Sequence, residues 1–455
     1  MIERFARHLV TALAISVTAV GCGGEPSVEA PTELVDDEES SSAALSGQCP
    51  SNPTTGVNSV LVLRVTNAGV GAPTCSAATI SAALQSAAAF YSETSFGRHT
   101  LSAAAPVDVS INYGTFGCTD PSALNTIAAR ADSAATARGF NPANYSRVVY
   151  VLKKPSGCTV KGGSASARIF IMGDSTDVSG CHTGRLYAHE YGHTLGLNHA
   201  STYAQDYGDA SDVMGNIAKY ARLNGPHQAA LGWSPQSVLP SGTYITTYTL
   251  TPLESGGRVL KLGALNYYAS FRMATGASAA LDAAFTGGVS LHFAEPCSSR
   301  PSPTYLETTL WDGADWQAGQ VRIRQQRHSA TSASITVTSV VPPAQCGIMP
   351  ANQGLIAGNV LRSCDGRFNL QVQWDGNVVL YRGSTALWAA NTNKTTSAIM
   401  QADGNFVGYD SGGSPTMATN TASHPGAHLV VQNDGNLVIY GAGGRVLWAS
   451  GTAGR

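Results

Sequence analysis

The chain has 455 residues, more than one ordinary hydrophobic core organises, so two or three domains are expected. Hydrophobic residues make up 43% and charged residues 12%, which excludes a chain that is disordered throughout. The net charge of -2 gives no reason to expect nucleic acid as a partner.

Residues 1–22 read as an export signal. Arg4 and Arg7 give a positive start, residues 9–20 form an apolar run too short to span a bilayer, and small residues follow. The string Ala19-Val20-Gly21-Cys22 resembles a bacterial lipoprotein cleavage site, with Ala19 where Leu is usual. That resemblance implies lipidation at Cys22 and a place at the bacterial outer membrane or cell surface. The alternative is an ordinary signal peptide and a secreted protein. Either way the chain is expected to meet a membrane only through such an anchor. Eight further cysteines remain (Cys49, Cys75, Cys118, Cys158, Cys181, Cys297, Cys346 and Cys364), and an even number in an exported chain predicts disulfides. Residues 23–48 are acidic and Ser-rich with no aromatic residue, so they are expected to be a disordered linker, either a tether or the remnant of a pro-segment.

Residues 49–234 alternate strand and helix signals. Strands are predicted over 60–68, 147–154 and 167–173, and helices over 81–95 and 121–138. A further helix is predicted to begin near Thr183, and it carries HEYGHTLGLNH, residues 189–199. His189 and His193 are four apart, so on a helix they share one face and can converge on one ion. Glu190 lies beside that ion and can handle the proton of a water. Gly196 can take a positive φ and leave the helix, bringing His199 back as a third ligand. Three imidazoles leave the fourth position of a tetrahedral ion open, the mark of a catalytic Zn2+ and not of a structural one.

This pattern, with Met214 in the string of residues 207–215, resembles the metzincin peptidases. Asn224-Gly225-Pro226 and Leu231-Gly232-Trp233 resemble the gametolysin-like members. The resemblance implies an α/β (α+β) catalytic domain, protein or peptide substrates, and Met214 as a Met-turn residue packed beneath the zinc. It also implies that Glu190 is the general base for a zinc-activated water. Some metzincins place a Tyr two residues after the Met; here Asn216 stands there, with Tyr207 and Tyr220 nearby. His182 and His227 are expected to be solvated or to sit behind the ligands.

Residues 235–345 show only short alternating segments between turns, which predicts a β-sandwich. Residues 346–455 hold three copies of Q-x-D-x-N-x-V-x-Y. The first places Gln373, Asp375, Asn377, Val379 and Tyr381. The second places Gln401, Asp403, Asn405, Val407 and Tyr409, and the third Gln432, Asp434, Asn436, Val438 and Tyr440. On a strand these alternate residues would share one face, a row of hydrogen-bonding groups and one apolar spot suited to a sugar. A simple turn at each Asp-Gly-Asn is the other reading. The copies, with LRSCDGRFNLQVQWDGNVVLY around the first, resemble the bulb-type mannose-specific lectins. That resemblance implies an all-β β-prism and pockets for mannose-type glycans. The whole sequence thus predicts an exported zinc endopeptidase carrying a lectin module. The alternative is an adhesin whose peptidase-like domain is only a scaffold.

Overall fold

The computed structural model describes residues 54–117, 120–158, 161–173, 181, 183–215, 221–279, 281, 283–295 and 303–455. The expectations for the export signal, Cys22 and the acidic linker lie outside these residues, as do His182, Asn216 and Tyr220. No described helix is long and apolar enough to cross a membrane.

The first half is built on β1 (Gly56–Asn67), whose alternating apolar residues feed two cores. Val60 and Val62 face one, and Leu61, Leu63 and Val65 face the other. Helix α1 (Ala77–Thr94) starts where Ser76 Oγ accepts from Thr79 N, and it buries Ile80, Ala83, Leu84, Ala87 and Tyr91 at helical spacing. Strands β2 (His99–Ala103) and β3 (Val107–Ile111) pair with β1 one after the other. Helix α2 (Pro121–Thr136) is capped by Asp120 and has Pro at its first position. It covers the second core. Strands β4 (Arg147–Leu152), β5 (Gly162–Ala165) and β6 (Arg168–Met172) complete a sheet of order β2-β1-β4-β6-β5. Its pairs are parallel except β5–β6, so β5 is an antiparallel edge. Helix α3 (Gly184–Thr194) packs with α1 on the first core. The Cys75–Cys181 disulfide joins the approach to α1 to the approach to α3. Cys158 is disulfide-bonded as well.

The chain then enters a second sheet earlier than the sequence predicts. Strand β7 (Ala200–Thr202) follows His199 directly. After helix α4 (Gly225–Ala230) come β8 (Gln236–Val238), β9 (Tyr244–Leu250), β10 (Val259–Lys261), β11 (Tyr267–Phe271), β12 (Val289–Ala294), β13 (Thr304–Leu310), β14 (Asp315–Ala318), β15 (Val321–His328) and β16 (Ala333–Ser339). One sheet has the order β7-β13-β12-β11-β10-β8 and the other β14-β15-β16-β9. Leu250, Phe271, Leu291, Ile323 and Ile335 fill the core between them. Strand β7 pairs in parallel with β13, Ala200 opposite Thr304. A boundary drawn at residue 234 therefore cuts through one continuous sheet.

The last hundred residues form three four-stranded sheets around one core, with one sequence copy per sheet. Trp388 and Trp448, half-buried against this core, meet edge to face, and Met417 takes the corresponding place after the second copy. The first short strand, Ile348–Met349, completes the sheet of the third copy by pairing with His428–Val431. A Cys346–Cys364 disulfide closes the entry to this region.

Candidate metal centre and repeat sites

Helix α3 is buried on nearly every side, and it ends abruptly. Leu197 N bonds to Gly192 O and Gly196 N to His193 O, with Gly196 at φ 86°. This paired closure needs a left-handed residue, which glycine supplies without strain. The turn brings His199 back toward the helix. His189 and His193 lie one turn apart, and their Nε2 atoms are 3.2 Å from each other. Each Nδ1 is 2.9 Å from a backbone carbonyl, that of Val213 for His189 and that of Leu197 for His193. A carbonyl only accepts, so each ring carries its proton on Nδ1 and turns the Nε2 lone pair toward the shared space. The ligand atoms of His189, His193 and His199 all lie within 4.8 Å of one another.

This donor set fits zinc. Two imidazole nitrogens on a tetrahedral zinc, each about 2.0–2.1 Å away, sit about 3.3 Å apart, close to the separation seen here. Asp206 Oδ2 is 3.6 Å from His199 Nδ1, and the imidazole beside it holds the Asp206 carboxyl down to about 2. The Tyr207 ring lies 3.9 Å from that of His199, on backbone with φ 57° that Asp206 Oδ1 fixes by accepting from Tyr207 N.

Glu190 is fully buried on the same helix. Its carboxylate lies under the backbone of β5, where a Cβ on Gly162 would collide with Glu190 Oε1. Met214 is also fully buried and packs against Gly192, where a Cβ would collide with its sulfur. The Met214 backbone is fixed at both ends. Its N–H donates to Asp212 Oδ1 at 2.7 Å, and its carbonyl accepts from Ala200 N at 3.0 Å. The site thus brings together Glu190, the three histidines and Met214.

Beneath it lies a buried polar network that the sequence reading missed, apart from His227 being set behind the ligands. Asp212 Oδ2 accepts from Asn224 N at 2.6 Å and lies 2.8 Å from His227 Nδ1. Asp209 Oδ1 accepts from Ser211 N and Oγ. Asp209 Oδ2 accepts from Asn224 Nδ2 at 3.2 Å and from His292 Nε2 at 3.0 Å. Burial opposes the Asp209 charge, but the bonds from His292 and Ser211 hold its carboxyl well below the usual range. The Arg272 guanidinium spans Glu254 Oε1 and Ser211 O. Asp209 and Asp212 lie in the Met214 string and were open to suspicion. His292 follows some eighty residues later in a plain strand, and no local signal marks it.

The three C-terminal copies are alike in geometry. Gln373, Gln401 and Gln432 each donate through Nε2 to the hydroxyl of Tyr381, Tyr409 and Tyr440, at 3.0, 2.6 and 2.7 Å. Asp375, Asp403 and Asp434 each accept from the backbone N–H of Asn377, Asn405 and Asn436 at 2.9 Å. Val379, Val407 and Val438 are buried beneath. The five residues do not form a row on one strand, as the alternation predicted. Gly376, Gly404 and Gly435 have φ of 85°, 93° and 89°, so the Gln-to-Asn half is a turn and only the Val and Tyr lie in a strand. The Gln–Tyr bond, not strand alternation, joins the halves. The asparagines are partly spent on the fold, since Asn377 Oδ1 accepts from Thr392 N and Asn405 Oδ1 from Thr421 N.

Comparison with known structures finds similarity in part of the chain. A lectin of Marasmius oreades is 37% identical over 26% of this chain and 98% of its own, with a TM-score of 0.24. A monomeric mannose-binding lectin of Gastrodia elata is 39% identical over 24% and 98%, with a TM-score of 0.22. The mannose-specific agglutinin of snowdrop, Galanthus nivalis, is 36% identical over 23% and 96%, with a TM-score of 0.20. No curated protein matches the chain. Residues 76–259, which carry the three histidines, Glu190 and the whole of the Met214 turn, match the family model of gametolysin peptidase M11.

Proposed function

We propose that this protein is a zinc-dependent endopeptidase of the metzincin type, exported from the cell and carrying a mannose-binding β-prism module. The observation that carries the peptidase reading is the convergence of three imidazoles, two of them with Nδ1 held by backbone carbonyls, next to a buried carboxylate. His189, His193 and His199 would hold the ion. Zinc there would supply Lewis-acid polarisation of a water and of the substrate carbonyl.

The remaining chemistry belongs to the protein. Glu190 takes the proton of the attacking water and returns it to the leaving amine nitrogen. Gly162 keeps the carboxylate from being pushed aside. Strand β5 is the edge of its sheet among the described residues and lies beside Glu190, which suits an extended peptide added as a further strand. Met214 fixes the floor under the helix and is not a ligand.

The repeated Gln–Tyr pair over a buried Val supports three sugar sites. Mannose-type glycans then hold the enzyme on its target, since three weak sites on one chain add avidity. Export with a lipid on Cys22 accords with the cysteine usage of the chain.

The test is casein cleavage by residues 46–455 and by its Glu190→Ala variant, with and without a zinc chelator. Cleavage by the parent alone, abolished by chelation, supports the peptidase. If the parent binds zinc yet cleaves neither casein nor a broad peptide library, the peptidase reading fails and a binding protein remains.

A further inference from the structure

We propose that His292, on a strand of the second sheet, is a positioning residue for the metal centre, acting through Asp209. The proposal rests on the zinc reading of the three histidines. Two of those histidines sit on α3. The third immediately precedes β7, which is a strand of the second sheet, and Thr304 N of β13 donates to the His199 carbonyl at 3.0 Å. The centre is therefore split between a helix of one layer and the edge of another.

Asp209 is where the two parts are tied. Its N–H donates to Ala200 O at 3.2 Å, one residue beyond the third histidine. Its carboxylate takes bonds from Ser211 in the Met214 turn, from Asn224 at the start of α4 and from His292 in β12. Asn224 Nδ2 also reaches Thr304 Oγ1 at 2.7 Å, closing the loop to β13. There is no slack, because a Cβ on Gly215 would collide with Asp209 O.

Among the described residues, His292 is the group from the central strands of the second sheet that donates to this carboxylate. It is fully buried, and its Nδ1 has no hydrogen-bond partner among the described residues. A buried N–H without an acceptor is unfavourable. The proton therefore sits on Nε2, where Asp209 receives it. A charged Asp209 without this donor would draw on Asn224 and Ser211 alone. The chain carrying His199 would then lose its fixed distance from α3.

The experiment measures zinc affinity by chelator competition on the full chain, alongside the melting temperature of the metal-free protein. Zinc is the probe, so peptide cleavage plays no part. His292→Leu is expected to bind zinc about 10- to 100-fold more weakly, as for other residues behind metal ligands. His292→Gln, whose Nε2 can donate from nearly the same place, is expected to stay close to the parent. If His292→Leu melts lower but binds zinc as the parent does, the residue only supports the fold and the proposal is overturned. Should His292→Leu fail to fold, Thr304→Val and Thr304→Ser decide. The Val variant lacks the hydroxyl that anchors Asn224 and is expected to bind zinc more weakly than the Ser variant; equal affinities overturn the proposal. A parent that binds no zinc at all would instead sink the metal reading itself.

Discussion

Glu190 and Gly162 form a matched pair, one supplying a carboxylate and the other the absence of a side chain above it. Glu190→Gln keeps the shape of the site and all three imidazoles. It is expected to retain one zinc per chain while kcat falls about 10²- to 10⁴-fold; metal analysis with casein turnover checks both. His193→Ala, by contrast, should lose metal and activity together. Gly162→Ala pushes a methyl into the Glu190 carboxylate. Its kcat/KM is expected to drop about 10- to 100-fold with zinc content unchanged, because a misplaced proton acceptor loses alignment before the ligands do. His99 contributes to the loss of stability in mild acid. It is buried beside Tyr191 and Trp233, and burial together with the nearby Arg147 charge lowers its pKa to about 4. An unfolded chain takes up that proton near pH 6.5. Stability from this group is therefore complete above pH 6.5 and is lost as pH falls toward 4, by about 3 kcal/mol in all. Melting temperatures between pH 6.5 and 4 should fall more steeply for the parent than for His99→Gln.

At the scale of elements, strand β7 carries the main consequence. It is three residues long, and its pairing partner in the sheet is β13. A fragment ending at residue 234 keeps α3 and all three histidines but loses that partner, together with His292 and Thr304. It is expected to bind zinc substoichiometrically and to be cut by chymotrypsin after Tyr203 or Tyr207, and limited proteolysis with metal analysis measures both. A fragment with full zinc occupancy would contradict this. The same strand shows where the sequence stops being readable. The histidines and Glu190 were legible because spacings of one, four and six residues are resolved within one helix and one glycine turn. The strands at 147–152 and 168–172 were legible because their periodicity is local. The short strands β2, β3, β5 and β7 were not, since three to five residues carry too little pattern and owe their form to their neighbours. The Asp209–His292 bond joins positions far apart in the chain, and no local periodicity encodes it. In the C-terminal copies, recurrence gave the five residues, but alternation gave the wrong geometry because glycine turns interrupt the strand.

Across the whole molecule, the C-terminal region is tied to the sandwich by several bonds. Thr243 Oγ1 donates to Asn352 O at 2.7 Å, Gly354 N to Val341 O at 3.0 Å, and Gln317 Nε2 to Ala357 O at 3.1 Å. Binding and cleavage should nonetheless separate. Replacing Asp375, Asp403 and Asp434 together by Asn keeps an oxygen for each turn N–H but removes the carboxylates. That variant is expected to pass through a mannose column that retains the parent, while cleaving casein at the parent's rate. Time enters through the parallel pairing of β7 with β13. A nascent chain emerges N-terminus first, and roughly a hundred residues separate His199 from Thr304. At ribosomal speeds that gap lasts about 5–20 s. For that interval the helix histidines are present while the strand that sets the third is still unmade. Until residue 304 has been made, the third histidine therefore lacks the neighbouring strand that anchors it.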